Sequence, residues 1–424
     1  MTFEIRAALT LTIFVAMLAL VIARPRGASE AWWTVLAAAS MLALHLVTPQ
    51  QAIDVMRSGS SAISFLVALL WLSHVVRKSG FFDWAAERCA RLAAGDAHAL
   101  FRNTFVLGAM VTATLSLDTT AVILTPIVIA LVKRLGLPLT PYVLACALVS
   151  NVGSLLLPVS NLTNILFVDA FHTPFSEFTL RMAAPQIVAW TMTFGLLRWR
   201  FRRELPARFV DDMPSVELVP HAGYFRACTT VLALVLVGCF LAPWTNVPPY
   251  AVAFAGAALL TLVGLFTRRV TIGSITEVSW SVVPFVLALF VAVRGVESLG
   301  IVDAAAAIVA RTSVGSPARL FLVAGGTALA SNVINNLPAT LVARSVLEAL
   351  PADPASALAA LIGADVGSTI TPFGSLATML VLTLARREGA VVPTRDVVTF
   401  GLWATPLLVL AATLSLVVVY ALVP

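Results

Sequence analysis

The sequence predicts an all-α integral membrane protein of about ten transmembrane helices and two re-entrant hairpins, laid out as two inverted-topology repeats. Composition is the first reason: 60% of the residues are hydrophobic and 11% charged, with a mean hydropathy of +0.97, whereas a soluble domain is roughly a quarter charged. Apolar windows of about 20 residues, the length that crosses ~30 Å of hydrocarbon as a helix, recur throughout. The third reason is a repeat. Asn151, Gly153, Pro158, Asn161 and Asn164 return in the same order as Asp365, Gly367, Pro372, Ser375 and Thr378, 214 positions on (365 less 151). Lipid leaves only helices or closed barrels as spanning structures. Strict in/out alternation is absent, so the bundle is helical.

In chain order, the first apolar run covers about 7–24. Its short flank holds Glu4 and Arg6 rather than a basic cluster, which reads as an uncleaved helix and not a signal peptide. Spans at 32–48 and 61–77 follow, then an amphipathic segment opening Ser79-Gly80-Phe81-Phe82-Asp83. The apolar stretch 102–132 is interrupted by Leu115-Ser116-Leu117-Asp118-Thr119-Thr120. Two half-helices meeting at that polar tip, ~15 residues per arm at 1.5 Å each, would reach the midplane and return. One continuous helix with a polar patch is the alternative. A broken helix at 140–172 and a span at 181–199 complete the first repeat, residues 1–198.

A linker, 199–226, leads to the second repeat, 227–424, with spans at 227–244, 249–267 and 280–298. Leu299-Gly300-Ile301-Val302-Asp303 opens its amphipathic segment, and the hairpin 319–347 is interrupted by Ser331-Asn332-Val333-Ile334-Asn335-Asn336-Leu337-Pro338. A broken helix at 355–385 and a span at 397–421 finish the chain. Gly80 aligns with Gly300 and Asp118 with Asn336, so only small insertions separate the copies.

Five spans precede the linker. An odd number turns the second half upside down relative to the first. With Arg200, Arg202, Arg203 and Arg208 of the linker placed in the cytoplasm, sixteen further basic residues fall on the same side, among them Arg26, Arg77, Lys78, Lys133, Arg134, Arg268 and Arg386. Those 20 of 27 basic residues follow the positive-inside rule. The chain is then a multi-pass protein of the cytoplasmic (inner) membrane with both termini outside.

Several functions are disfavoured. The charge of +6 is that of a membrane protein with basic cytoplasmic loops, and no basic stripe suggests nucleic acid. There is no G-x-x-x-x-G-K-[ST] loop, H-E-x-x-H or G-x-S-x-G context, so nothing points to an enzyme or to a cofactor. Cys89, Cys146, Cys228 and Cys239 lack C-x-x-C spacing and a histidine cluster, and read as packing residues rather than metal ligands. His45, His74, His98, His172 and His221 lie near span ends and read as interfacial.

The polar residues inside the spans carry the chemistry. In Pro158-Val159-Ser160-Asn161-Leu162-Thr163-Asn164 and Thr371-Pro372-Phe373-Gly374-Ser375-Leu376-Ala377-Thr378, proline removes a helix hydrogen bond. Unwound backbone is tolerated in a membrane only where it lines a protein cavity. Paired broken helices near the midplane are how secondary transporters build a site. A proline kink with Ser/Thr bonding back to carbonyls is the alternative. Asp118 and Asp365 are lone carboxylates in apolar sequence, a pattern that marks proton or ion pathways. A capping or ion-pairing role competes for each.

At these residues the chain resembles the arsenite/antimonite permease family of the ion-transporter superfamily, which also holds the divalent-anion/sodium symporters. The resemblance is carried by Ala121-Val-Ile-Leu-Thr-Pro-Ile-Val-Ile-Ala130, Val159-Ser-Asn-Leu-Thr-Asn164, Asn335-Asn-Leu-Pro338 and Ile370-Thr-Pro-Phe-Gly-Ser-Leu-Ala-Thr378. It implies a scaffold and a mobile transport domain moving like an elevator, and efflux of arsenite and antimonite hydroxides in exchange for protons. Some members use a separate ATPase subunit; that partner, like a second copy of the chain in a homodimer, is left open by the residues. The first tip departs from the family's Asn-Asp-Gly, reading Leu117-Asp118-Thr119, and Ala364 stands where cysteine is frequent.

The expectation is thus a proton-coupled exporter of a small metalloid hydroxide. Thr119, Asn161, Thr163, Asn164, Asn335, Asn336, Ser375 and Thr378 would bind substrate; Asp118 and Asp365 would carry the proton or organise the tips. A sodium-coupled carboxylate or sulfate carrier, or a Na⁺/H⁺ antiporter, shares the same fold.

Overall fold

A computed structural model describes residues 2–25, 28–209, 222–245 and 247–422. Arg26, His221 and much of the linker lie outside the described residues. Helix α1 (Phe3–Ala23) is followed by α2 (Glu30–Ala43), α3 (Pro49–Ser58) and α4 (Ser60–Arg77). Thr48 and Gln51 form a reciprocal cap on α3, with Pro49 in its first turn. The amphipathic α5 (Phe81–Ala93) then leads into α6 (Ala97–Thr114). After the break come α7 (Leu117–Thr119), a π-helical turn (Thr120–Leu124) and α8 (Thr125–Arg134).

Next are α9 (Leu139–Val152), α10 (Leu162–Ala170), α11 (Phe175–Phe201), α12 (Ala222–Thr245) and α13 (Pro249–Phe266). A short 3₁₀ stretch (Ile272–Glu277) precedes α14 (Val282–Val296) and α15 (Val302–Val309). The chain closes with α16 (Pro317–Ile334), α17 (Asn336–Glu348), α18 (Pro354–Asp365), α19 (Leu376–Arg387) and α20 (Thr394–Leu422). Gly80 and Gly300, the aligned pair, both turn the chain with positive φ (75° and 82°) just before α5 and α15. That conformation costs glycine little and other residues more.

Seven helices among the described residues are long and apolar enough to cross a membrane. Six match expected spans and the seventh is α16, a hairpin arm. The remaining four expected spans differ for visible reasons. Helix α2 holds only 14 residues, and α11 carries Glu177, Arg181, Arg198 and Arg200. The stretches 140–172 and 355–385 are each two short helices parted at a proline-bearing loop.

Neither interrupted apolar stretch is a continuous helix. Helix α6 stops at Thr114, and Ser116 is fully extended (φ 175°, ψ 164°). Helices α16 and α17 pack on one another and join through Asn335 alone (φ 76°, ψ 153°). Helix α4 lies against α13 while α14 lies against α2; α11 meets α20, α9 meets α19 and α10 meets α18. The broken helices therefore sit side by side, with nearly every residue of α9 and α18 buried.

Candidate functional site

Breaking α9 and α18 frees backbone groups, and the structure accounts for them side chain by side chain. Gln186 of α11 accepts from the Leu155 N–H at 2.7 Å and donates to the Val152 carbonyl at 2.8 Å. Asn164 donates to the carbonyls of Ser154 (2.5 Å) and Leu157 (3.2 Å). In the second break Asn332 donates to the Gly367 carbonyl (2.6 Å) and accepts from the Thr371 N–H (2.9 Å). The α16–α17 tip is stitched to the same loop: Asn335 Nδ2 donates to the Phe373 carbonyl at 2.9 Å and the Asn336 N–H to Gly374 at 2.8 Å. A Cβ on Gly374 would lie 2.2 Å from the Ser368 carbonyl, so only glycine fits there.

The two broken helices are also joined across the centre. Asp365 is wholly buried. Its Oδ1 accepts from Asn161 Nδ2 (2.8 Å) and Thr163 Oγ1 (2.9 Å), and its Oδ2 from Ser154 Oγ (3.1 Å). Asn151, at the matching position of the first repeat motif, donates to Thr378 Oγ1 at 2.9 Å. Each residue that ends a first half-helix thus reaches the opening turn of the other broken helix.

These contacts surround a small cavity of about 50 Å³ lined by Leu117, Asp118, Asn161, Thr163, Asn335, Asn336, Ser375 and Ala377, with Leu66 of α4 and Val282, Phe285 and Val286 of α14 as its apolar wall. Three helices begin at it. Asn161 caps α10 by accepting from the Thr163 N–H (3.4 Å), Asn335 caps α17 (Leu337 N–H, 3.3 Å) and Ser375 caps α19 (Ala377 N–H, 3.2 Å). Ser116 does the same for α7 through the Thr119 N–H (3.1 Å). Helix N-termini carry about half a positive charge. The cavity is therefore rich in hydrogen-bond donors, and no basic side chain lines it.

Six of the ten sequence-predicted residues line the cavity: Asp118, Asn161, Thr163, Asn335, Asn336 and Ser375. Asp365 stands one layer behind, bonded to two of them. The other three do different work. Asn164 braces the 154–157 loop, Thr378 accepts from Asn151, and the Thr119 hydroxyl bonds Ser73 Oγ at 3.0 Å.

Sequence reading gave no role to Gln186, Ser154 or Asn332; a lone amide inside an apolar span was the available signal for Gln186, and Asn332 stood in the polar interruption of the second hairpin. It also passed over the buried pair of Arg319 and Asp353, 3.2 Å apart, where Asp353 caps α18 through the Ser356 N–H. His74 lies in the last turn of α4, near the span end expected of it, but is buried. It is 6% exposed, because the 272–277 stretch folds over the end of α4.

Access to the cavity is asymmetric. Asp118, Val282 and Leu376 also line a vestibule of about 220 Å³ whose far wall holds His74, Arg77 and Glu277. On the other side, one helical turn beyond Val286 and Leu337, Phe290 and Leu341 line a separate chamber of about 260 Å³ with Arg294, Glu297 and Arg344.

A family model described as "Citrate transporter" matches residues 17–362. An arsenical pump membrane protein of Yersinia enterocolitica is 33% identical over 381 residues, covering 87% of this chain and 89% of that protein. The arsenical pump membrane protein of Escherichia coli K12 is 32% identical over 384 residues (87% and 88%). In fold, the chain is similar to the crystal structure of the Alcanivorax borkumensis YdaH transporter, with a TM-score of 0.57 and 19% identity over 89% of this chain and 90% of that one. The chain belongs to the citrate transporter family, and with the arsenite permeases of the ion-transporter superfamily it is a multi-pass membrane transporter.

Proposed function

We propose that this transporter exports arsenite and antimonite, as their neutral trihydroxides, in exchange for protons across the cytoplasmic membrane. The cavity where three half-helix N-termini and the Asp118 tip converge is the observation that carries this reading. Backbone N–H groups at the starts of α10 and α19 would hold hydroxyl oxygens, while the first-turn N–H groups of α17 are already bonded within the protein. Asn161, Asn335 and Ser375 set that donor ring by capping the helices, and Asn336 and Thr163 complete the wall. Asp118 would accept a substrate hydroxyl or carry the exchanged proton. Asp365 would hold Asn161 and Thr163 in place and so tie the ring to the second half of the chain.

The relatives named as arsenical pumps support the cargo. Cavity size supports it too: about 50 Å³ is room for a few water-sized groups by the ~10–15 Å³ criterion. Citrate would bring three carboxylates to a pocket with no basic side chain. The family model's description keeps a sodium-coupled carboxylate carrier as the second reading.

The exchanged partnerships of α4 with α13 and of α14 with α2 support two inverted repeats, residues 1–198 and 227–424. The hairpins and broken helices would form the moving body of an elevator, with α4 and α14 as the scaffold wall. The basic linker would face the cytoplasm, the termini the outside. Expression in an arsenite-sensitised host tests the cargo: growth in arsenite supports it, whereas sodium-dependent citrate uptake without arsenite tolerance transfers the assignment to the second reading.

A further inference from the structure

The vestibule contains a histidine that the transport site does not use. His74 sits in the last turn of α4, almost wholly buried, and its Nε2 has no hydrogen-bond partner. The Ser274 backbone lies beside the ring. His74 lines the vestibule, with its Nε2 4.0 Å from Glu277 Oε2. That carboxylate oxygen is also shared by Lys78 (2.7 Å) and Arg77 (3.5 Å). Asp118 lines the same vestibule, and no described residue donates to its carboxylate.

The two groups are brought together through their neighbours, because the Thr119 hydroxyl donates to Ser73 Oγ at 3.0 Å. Glu30, the remaining charged group of the vestibule, is held by Arg24 at 3.1 Å. A buried, unpartnered imidazole nitrogen costs free energy and so calls for an explanation. Histidine is also the side chain that gains and loses a proton near neutral pH.

We propose that His74 is the proton-transfer residue of the vestibule, passing a proton at Nε2 between Asp118 and the Glu277 mouth. This rests on the proton-coupled reading above. In the unloading direction the Asp118 O–H bond breaks and His74 Nε2 takes the proton as imidazolium. The proton then leaves for Glu277 or for water at the mouth, and His74 returns to neutral. The vestibule, about 220 Å³, has room for several water-sized molecules at ~10–15 Å³ each. Arg77 and Lys78 hold Glu277 beside the imidazole, fixing the exit.

Proteoliposomes separate this step from substrate binding. Arsenite uptake driven by an imposed pH gradient requires proton transfer; arsenite counterflow at equal pH requires only binding and movement. His74→Gln should slow the gradient-driven rate at least roughly tenfold, about 1.4 kcal/mol, while counterflow persists. For His74→Ala, added imidazole should restore the driven rate. Full driven transport by His74→Gln overturns the relay alone. Equal loss of both rates without imidazole rescue makes His74 a packing residue and overturns it as well. A wild-type protein that does not respond to the gradient overturns the coupled reading, and the relay with it.

Discussion

Asp365 receives three hydrogen bonds on its two oxygens and has no exposed surface. Asp118 receives none from a described residue and lines both the central cavity and the vestibule. In sequence the two are alike: single acids in apolar runs, each beside a polar break. The difference shows that a lone intramembrane carboxylate can serve two ends. Asp365 is a latch that couples the halves, since Ser154, Asn161 and Thr163 come from the first broken helix and Asp365 from the second. Asp118 stands where a proton can reach the cavity without dismantling that frame.

The largest expected effect tests the latch. Asp365→Ala strands two buried donors, Asn161 Nδ2 and Thr163 Oγ1, each costing about 1–3 kcal/mol, while Ser154 Oγ keeps its bond to the Asn151 carbonyl. Its melting temperature in detergent should fall further than that of any other single variant here. Asp365→Asn keeps one acceptor oxygen and should reach the membrane, yet lose roughly 10- to 100-fold of its arsenite extrusion, the equivalent of one or two charge-assisted hydrogen bonds. Unchanged extrusion by Asp365→Asn would erase the distinction between the acids.

Asp118→Asn comes next. No donor is stranded, so stability should stay within about 0.5 kcal/mol of wild type, while pH-gradient-driven transport is lost and counterflow remains. A large drop in melting temperature would show that Asp118 is also structural. Asn161 and Asn164 give a sharper pair. Both are buried amides three residues apart, but Asn161 lines the cavity and Asn164 braces the loop. Asn161→Ala should weaken half-saturation for arsenite about tenfold, an effect of ~1.4 kcal/mol. Asn164→Ala should act mainly on thermal stability, by about 1–3 kcal/mol.

The smallest effect belongs to Glu277. The hydrogen bond from Lys78 holds its carboxyl below the usual carboxylate range, helped by the charges of Lys78, His74 and Arg77. A depressed carboxyl stabilises above its ordinary titration range and loses that contribution as pH falls through the lowered value. The vestibule clamp should therefore be intact at neutral pH and loosen only in strong acid. Glu277→Gln should abolish that acid-side dependence in a melting-temperature profile, with its small loss seen at pH 7 and vanishing in strong acid.

Much of this site could be read from the chain because the constraint is local. Proline, amide and hydroxyl spacing marks each break, and Asn161, Asn335 and Ser375 sit where a half-helix must be capped. What could not be read depends on which helices meet. Gln186 satisfies the first break from another helix, and nothing in its own neighbourhood shows the Leu155 N–H it will accept from. His74 is like any span-end histidine until the 272–277 stretch covers it. Asn161 and Asn164 are the same residue type three positions apart; only the direction of the α10 face separates a lining residue from a brace.

Arsenite counterflow in proteoliposomes, with citrate as competitor, tests the central claim most directly. A donor-ringed cavity of this size, without a basic side chain, predicts that external arsenite exchanges with trapped arsenite and that citrate in large excess leaves the rate unchanged. Exchange of citrate, or its block of arsenite exchange, would contradict it.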